Sequence, residues 1–132
     1  MQPILGAWFH THARQWRIQV PVSTRTRVTN SKVRLPDLVV VPFDVSAPQG
    51  ALESPPLIAI EVLSPDDSYN DLRQRARDLR AMGTANIWLI DPAEKPSSSG
   101  ARLTWQPFQG DKLQATGIAA YLDPAWLWTE FA

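Results

Sequence analysis

Two acids stand where apolar strands offer them nothing. Glu61 interrupts the run Leu57-Ile58-Ala59-Ile60-Glu61-Val62-Leu63, whose β-branched and aliphatic make-up is that of a strand buried on both faces. Asp37 sits at the mouth of a second such run, Leu38-Val39-Val40-Val41. An ionised carboxylate buried without a partner costs several kcal/mol, so Glu61 needs a cation, a metal, strong donors, or a place where the strand emerges. Adjacent strands carrying one carboxylate each can hold both acids around a single divalent ion, because hard cations take oxygen ligands.

A cation of the right kind follows in the sequence. On a helix over residues 71–82, a turn of about 100° per residue puts Leu72, Ala76, Leu79 and Met82 inward and Arg73, Arg77 and Arg80 on the opposite side. Arg75 lands inside the apolar arc, between Leu79 and Met82. A guanidinium directed at the core must meet a carboxylate. Asp37 and Glu61 lie on the strands this helix is expected to cover, while Asp71 and Asp78, at helical neighbour spacing, offer local alternatives. The histidines make a poorer case for chemistry. His10 and His12 are two residues apart, which on a helix points them about 200° apart, a poor chelate; they read as a surface and a helix-end histidine.

The elements that must position these groups are legible from periodicity. Ile4, Leu5, Trp8, Phe9 and His12 recur at helical spacing. Residues 17–28 alternate, with Ile18, Val20 and Val22 on one face, as in a half-exposed strand, and Pro21 marks an edge or a bulge. Thr29-Asn30-Ser31 is turn chemistry, after which residues 32–34 and 38–41 read as two parts of the next strand of a hairpin. Residues 42–56 hold four prolines and form a surface loop. Past the Glu61 strand, Pro65-Asp66-Asp67-Ser68 breaks the chain, and Ser68 with Asp71 is a capping box for the arginine-bearing helix. Gly83 caps its far end, and Asn86-Ile87-Trp88-Leu89-Ile90 is a buried strand stopped by Asp91-Pro92. Strand, helix and strand form a β-α-β unit, for which parallel strands and a right-handed crossover are expected.

Residues 95–100 read as a loop. Leu103 and Trp105, a turn at Gln109-Gly110-Asp111 and a return strand from Leu113 suggest a hairpin. Asp123-Pro124 opens a short terminal helix that buries Trp126 or Leu127. The whole, residues 1–132, is expected to be one α/β domain. No apolar run approaches the roughly 18 residues of a membrane span, and the first residues carry no basic leader, so the chain reads as cytoplasmic. The absence of cysteine removes disulfide and thiol chemistry. With a formal net charge of zero, any nucleic-acid contact must come from a local basic patch.

The ordered series Arg34-Leu35-Pro36-Asp37 with its following valines, Pro56 through Glu61 to Pro65, Asp71, Arg75, Gly83 and Ile87-Trp88-Leu89-Ile90-Asp91-Pro92 resembles the Uma-type putative restriction endonucleases of the PD-(D/E)xK nuclease superfamily. The resemblance covers residues 33–92. It implies a restriction-endonuclease-like core, a central mixed β-sheet flanked by helices. It also implies that Asp37, Glu61 and the carbonyl of Val62 bind Mg²⁺ (or Mn²⁺), with DNA as partner and hydrolysis of its phosphodiester bonds to a 3′-hydroxyl and a 5′-phosphate. The lysine that usually stands two residues after the glutamate is Leu63 here. The Uma type commonly relocates that lysine to the following helix, at the position of Arg75, which becomes the third catalytic candidate. A guanidinium there can neutralise phosphate charge but cannot accept a proton. Many superfamily members place a glutamate on the first helix, whereas residues 1–12 contain no acid. The same residues are compatible with a catalytically degenerate fold that binds nucleic acid or a protein without cleavage, Arg75 occupying the metal's place. They are also compatible with a structural ion pair between Glu61 and Arg75. A homodimer is a further expectation, because superfamily nucleases often cut two strands as pairs.

Overall fold

The computed structural model describes residues 2–21, 25–27, 33–34, 36–45, 51–52, 54–63, 66–90 and 112–131. In chain order the elements are α1 (Gln2–Thr11), α2 (Ala13–Trp16), β1 (Ile18–Gln19), β2 (Arg25–Arg27), β3 (Val33–Arg34), β4 (Leu38–Pro42), β5 (Ala51–Leu52), β6 (Ile58–Val62), α3 (Tyr69–Met82), β7 (Asn86–Ile90), β8 (Leu113–Gln114), β9 (Tyr121–Leu122) and α4 (Pro124–Phe131). The central sheet has the order β1-β4-β6-β7. Strands β6 and β7 run parallel, joined through α3, while β1–β4 and β4–β6 are antiparallel, so the sheet is mixed. Among the described residues no helix is long and apolar enough to cross a membrane.

Period-2 alternation sorts the sheet residues onto two faces. One face presents Leu38, Val40, Ile58, Ile60, Trp88 and Ile90 to Leu5, Trp8 and Phe9 of α1, to Leu127 of α4, and to Leu113 and Leu122 of the β8–β9 pair. The other face presents Ala59 and Ile87 to Ala76 and Leu79 of α3. Because both faces are covered, β6 and β7 are apolar along almost their whole length, and Glu61 is buried with its strand.

Local signals set the ends of the helices that flank this sheet. The Ser68 hydroxyl accepts from the Asp71 N–H at 3.1 Å, satisfying one of the unpaired donors of α3's first turn. The helix begins at Tyr69, two residues before the expected start, because the cap and not the first apolar residue sets its end. Gly83 closes α3 with φ of 112°, a conformation that strains any side chain, and its N–H bonds the Arg80 carbonyl. At α4, Asp123 Oδ1 accepts from Ala125 N–H at 3.0 Å and Trp126 N–H at 3.4 Å, with Pro124 at the first helical position. Leu127 is the residue buried there; Trp126 is half-buried.

Strand pairing departs from expectation in three places. The single strand expected over residues 17–28 is two: β1 joins β4 at the edge of the central sheet, and β2 belongs to a second sheet ordered β3-β2-β5. Pro21 lies between them, where a residue without an N–H cannot continue a ladder. Residues 32–34 and 38–41, expected as parts of one strand, separate likewise: β3 pairs with β2 in the expected hairpin, whereas β4 enters the central sheet. The proline-rich segment 42–56 contains β5, paired parallel with β2. Leu113 pairs with Leu122 of β9; the expected partners Leu103 and Trp105, the turn at 109–111, the turn at 29–31 and the loop 95–100 lie outside the described residues.

One polar side chain ties the β8–β9 pair to the central sheet. Buried Asn86 donates from Nδ2 to the carbonyls of Leu57, at 2.8 Å, and Thr116, at 3.1 Å, and accepts from the Thr116 N–H at 2.7 Å. His12 stacks on Trp16 with ring centroids 4.4 Å apart, and its Nδ1 donates to the Trp8 carbonyl, so it serves packing at the helix end.

Candidate active site

The β4–β6 ladder pairs Leu38 with Ile60. One step further along this antiparallel register Asp37 stands opposite Glu61, and directly opposed residues project to the same face with Cβ atoms about 5 Å apart. That face is the one covered by α3. Another step brings Pro36 opposite Val62. A proline has no N–H to offer the Val62 carbonyl, and the Val62 N–H donates instead to Asp37 Oδ2 at 2.6 Å, a short charge-assisted hydrogen bond. The paired ladder ends at Leu38 and Ile60, and beyond it the carboxylate of Asp37 takes up the Val62 donor.

From the covering helix, Arg75 reaches the same place. Its Nη1 lies 3.5 Å from Glu61 Oε2 and its Nη2 lies 3.9 Å from Asp67 Oδ1. The Glu61 side chain is 1% exposed and that of Arg75 36%. Of the two local acids that could have satisfied Arg75, Asp78 accepts from Gln74 Nε2 at 3.1 Å, and Asp71 lies at the capped first turn. Arg73, Arg77 and Arg80 are exposed along the outer side of α3.

The charge balance at Glu61 is unfavourable to ionisation. Burial pushes its carboxyl up from 4.5 to about 7, the charge of Asp37 adds to the rise, Arg75 opposes it, and Asp67 adds a little more. The Arg75 contact is too long and too open to water to offset the desolvation. Among the described residues, the carboxylates of Asp37 and Asp67 both act on Glu61, and Arg75 reaches Glu61 and Asp67. Among the described residues no three His, Asp or Glu side chains converge as a metal cluster. Asp37, Glu61 and the main-chain carbonyl of Val62 at the strand end carry hard oxygens of the kind Mg²⁺ and Mn²⁺ take.

With this geometry in hand, the relatives of the chain are informative. The sequence model of the family Uma2, Putative restriction endonuclease, matches residues 3–116. The chain belongs to this family. Among solved structures it is similar to the crystal structure of a putative nuclease belonging to DUF820 from Anabaena variabilis ATCC 29413, with a TM-score of 0.75 and 18% identity over 99% of this chain and 79% of that one. At that identity the likeness speaks to the fold, which is a restriction-endonuclease-like mixed sheet flanked by helices. No curated protein matches the chain. The Uma2 match extends well beyond the 33–92 stretch that carries the motifs, taking in α1 and the β8 strand.

Asp37, Glu61 and Arg75, singled out by residue type and spacing, come together in the fold, and Val62 adjoins them through its main chain. Asp67 was missed. It reads in the sequence as one of several strand-breaking residues before α3, and only the return of the loop onto Arg75 makes it a neighbour of Glu61. Its signal was the surplus of acids between Pro65 and the helix cap.

Proposed function

We propose that this chain is a divalent-metal-dependent endonuclease that hydrolyses DNA phosphodiester bonds, acting as a single domain over residues 1–132. Asp37, Glu61 and the carbonyl of Val62 would hold Mg²⁺ or Mn²⁺. The observation that carries this reading is the meeting of Asp37, Glu61 and Arg75 at the end of the β4–β6 ladder: Asp37 accepts from the Val62 N–H, its charge acts on the Glu61 carboxyl, and Arg75 reaches Glu61 at 3.5 Å. Membership of a restriction endonuclease family supports the substrate class.

When bound, the ion supplies the Lewis acidity that makes a water nucleophilic near neutral pH and offsets charge on the phosphate. The remaining steps fall to the chain itself. Asp37, fixed by the Val62 N–H, presents its carboxylate at the strand end without the entropy cost of a mobile side chain. Glu61, buried and reluctant to ionise, has more to gain from a cation than an exposed carboxylate has. Arg75 is positioned to neutralise phosphate oxygens; a guanidinium cannot accept a proton, so the water's proton leaves by another route. The exposed arginines of α3 supply the local basic surface that a chain of zero net charge needs to meet DNA.

A second reading, a degenerate nuclease fold that binds without cutting, is favoured by one specific contact, the Arg75 to Glu61 ion pair, in which the guanidinium occupies the carboxylate that a metal would use. Calorimetric titration with Mn²⁺ and cleavage of supercoiled plasmid separate the two. Metal binding lost in Asp37→Ala together with plasmid cleavage by the wild type supports the enzyme. Absence of cleavage in the wild type, with metal binding strengthened and cleavage gained in Arg75→Lys, supports the degenerate fold. No binding at millimolar Mn²⁺ in any variant would overturn both metal-based readings.

A further inference from the structure

We infer that Asp67 is a positioning residue: it offers Arg75 an alternative carboxylate, so that the guanidinium can release Glu61 when a divalent cation takes that group. The inference rests on the metal-dependent reading of the Asp37 and Glu61 site. One guanidinium is shared between two acids through different nitrogens, Nη1 toward Glu61 at 3.5 Å and Nη2 toward Asp67 at 3.9 Å. Neither distance reaches the 2.7 to 2.9 Å or so of a fully made charge-assisted bond. A small rotation of the planar fork therefore tightens one contact at the expense of the other. The two acids differ in environment: Glu61 is sealed in the sheet, at 1% exposure, whereas Asp67 is 19% exposed, beside the cap of α3. A charge pair formed at Asp67 is better hydrated than one formed at Glu61, so movement of Arg75 outward leaves the buried carboxylate to the ion and keeps the guanidinium compensated.

Without Asp67, Arg75 has Glu61 as its remaining carboxylate partner among the described residues, and an entering cation must displace it. Asp67 thus acts through Arg75 and needs no contact with the ion. A direct, through-space attraction of the cation by the Asp67 charge would also aid binding, and a double-mutant cycle separates the two. The probe is Mn²⁺ alone, titrated calorimetrically into wild type, Asp67→Asn, Arg75→Gln and the double variant. The expected result is a weakening of about three- to tenfold in Asp67→Asn, nearly none when the same change is made in Arg75→Gln, and recovery in Asp67→Glu. Thermal unfolding of each variant verifies that the fold is retained; a variant that fails to fold is replaced by Asp67→Ser, for which the same cycle applies. An equal loss in both backgrounds, or no loss in either, overturns the role of Asp67 while leaving the metal site standing. Failure of the wild type to bind Mn²⁺ overturns the metal reading itself, and this inference with it.

Discussion

Replacing Glu61 by glutamine should make the protein more stable at pH 8 while abolishing ion binding. The carboxyl titrates from 4.5 in an exposed setting to about 7 in the fold, with burial as the leading cause. Between those values the unfolded chain ionises while the folded chain still holds the proton. The stability associated with the protonated group is therefore fully present below about 4.5 and lost as pH rises through about 7. At roughly 1.4 kcal/mol per unit the loss amounts to about 3 kcal/mol once both states are ionised. Glutamine keeps the shape and cannot ionise, so Glu61→Gln escapes this loss. The shift to about 7 already contains the opposing pull of Arg75, so nothing further is subtracted for that pairing. The net expectation at pH 8 is a variant about 3 kcal/mol more stable than wild type, a rise of roughly 10 °C in midpoint for a chain of this size. At pH 5 the two should differ little. Thermal unfolding followed by circular dichroism from pH 5 to pH 8 gives the difference directly, and subtracting one protein from the other cancels the shared titrations. A variant less stable than wild type at pH 8, or a difference that does not grow with pH, would refute the account of Glu61 as a carboxylate held at a cost to the fold. Such a cost is expected where a group is kept for function.

Two further perturbations test the scaffold that holds the site. Asn86→Ala removes three hydrogen bonds, to the Leu57 carbonyl and to the Thr116 main chain, that join the β8–β9 turn to the central sheet; a loss of about 3 kcal/mol is expected in urea unfolding. Gly83→Ala should cost about 1 to 2 kcal/mol, entirely through the backbone: the added methyl would meet the Pro55 ring at an ordinary 3.5 Å, but φ of 112° is unfavourable for alanine. A thermal midpoint unchanged in Gly83→Ala would show that the end of α3 relaxes without strain.

Much of the architecture is legible in the sequence because it rests on properties a chain carries locally. Leu72, Ala76 and Leu79 at helical spacing, the serine before α3, the glycine after it, and Asp123-Pro124 before α4 act over a few residues, and each does in the fold what its chemistry dictates. The continuous apolar runs of β4, β6 and β7 announced a covered sheet, and the strand-helix-strand order announced parallel pairing of β6 with β7. Pairing partners beyond the nearest element were not readable. The parallel contact of β2 with β5 and the union of β8 with β9 join strands of two or three residues whose composition is compatible with several partners, so the choice falls to the rest of the fold.

The same division runs through the site. Sequence alone determined that Asp37 and Glu61 lie on apolar strands and that Arg75 leans into the core-facing arc of a helix, since residue type and periodicity decide both. Tertiary structure decided that Asp37 stands opposite Glu61, that the Val62 N–H holds Asp37, and that Arg75 divides itself between Glu61 and Asp67. It alone raised the Glu61 carboxyl to about 7. Desolvation and Coulomb interaction depend on what surrounds a group in space, and groups separated by many residues become its surroundings only once the sheet has closed and the helix has packed across it.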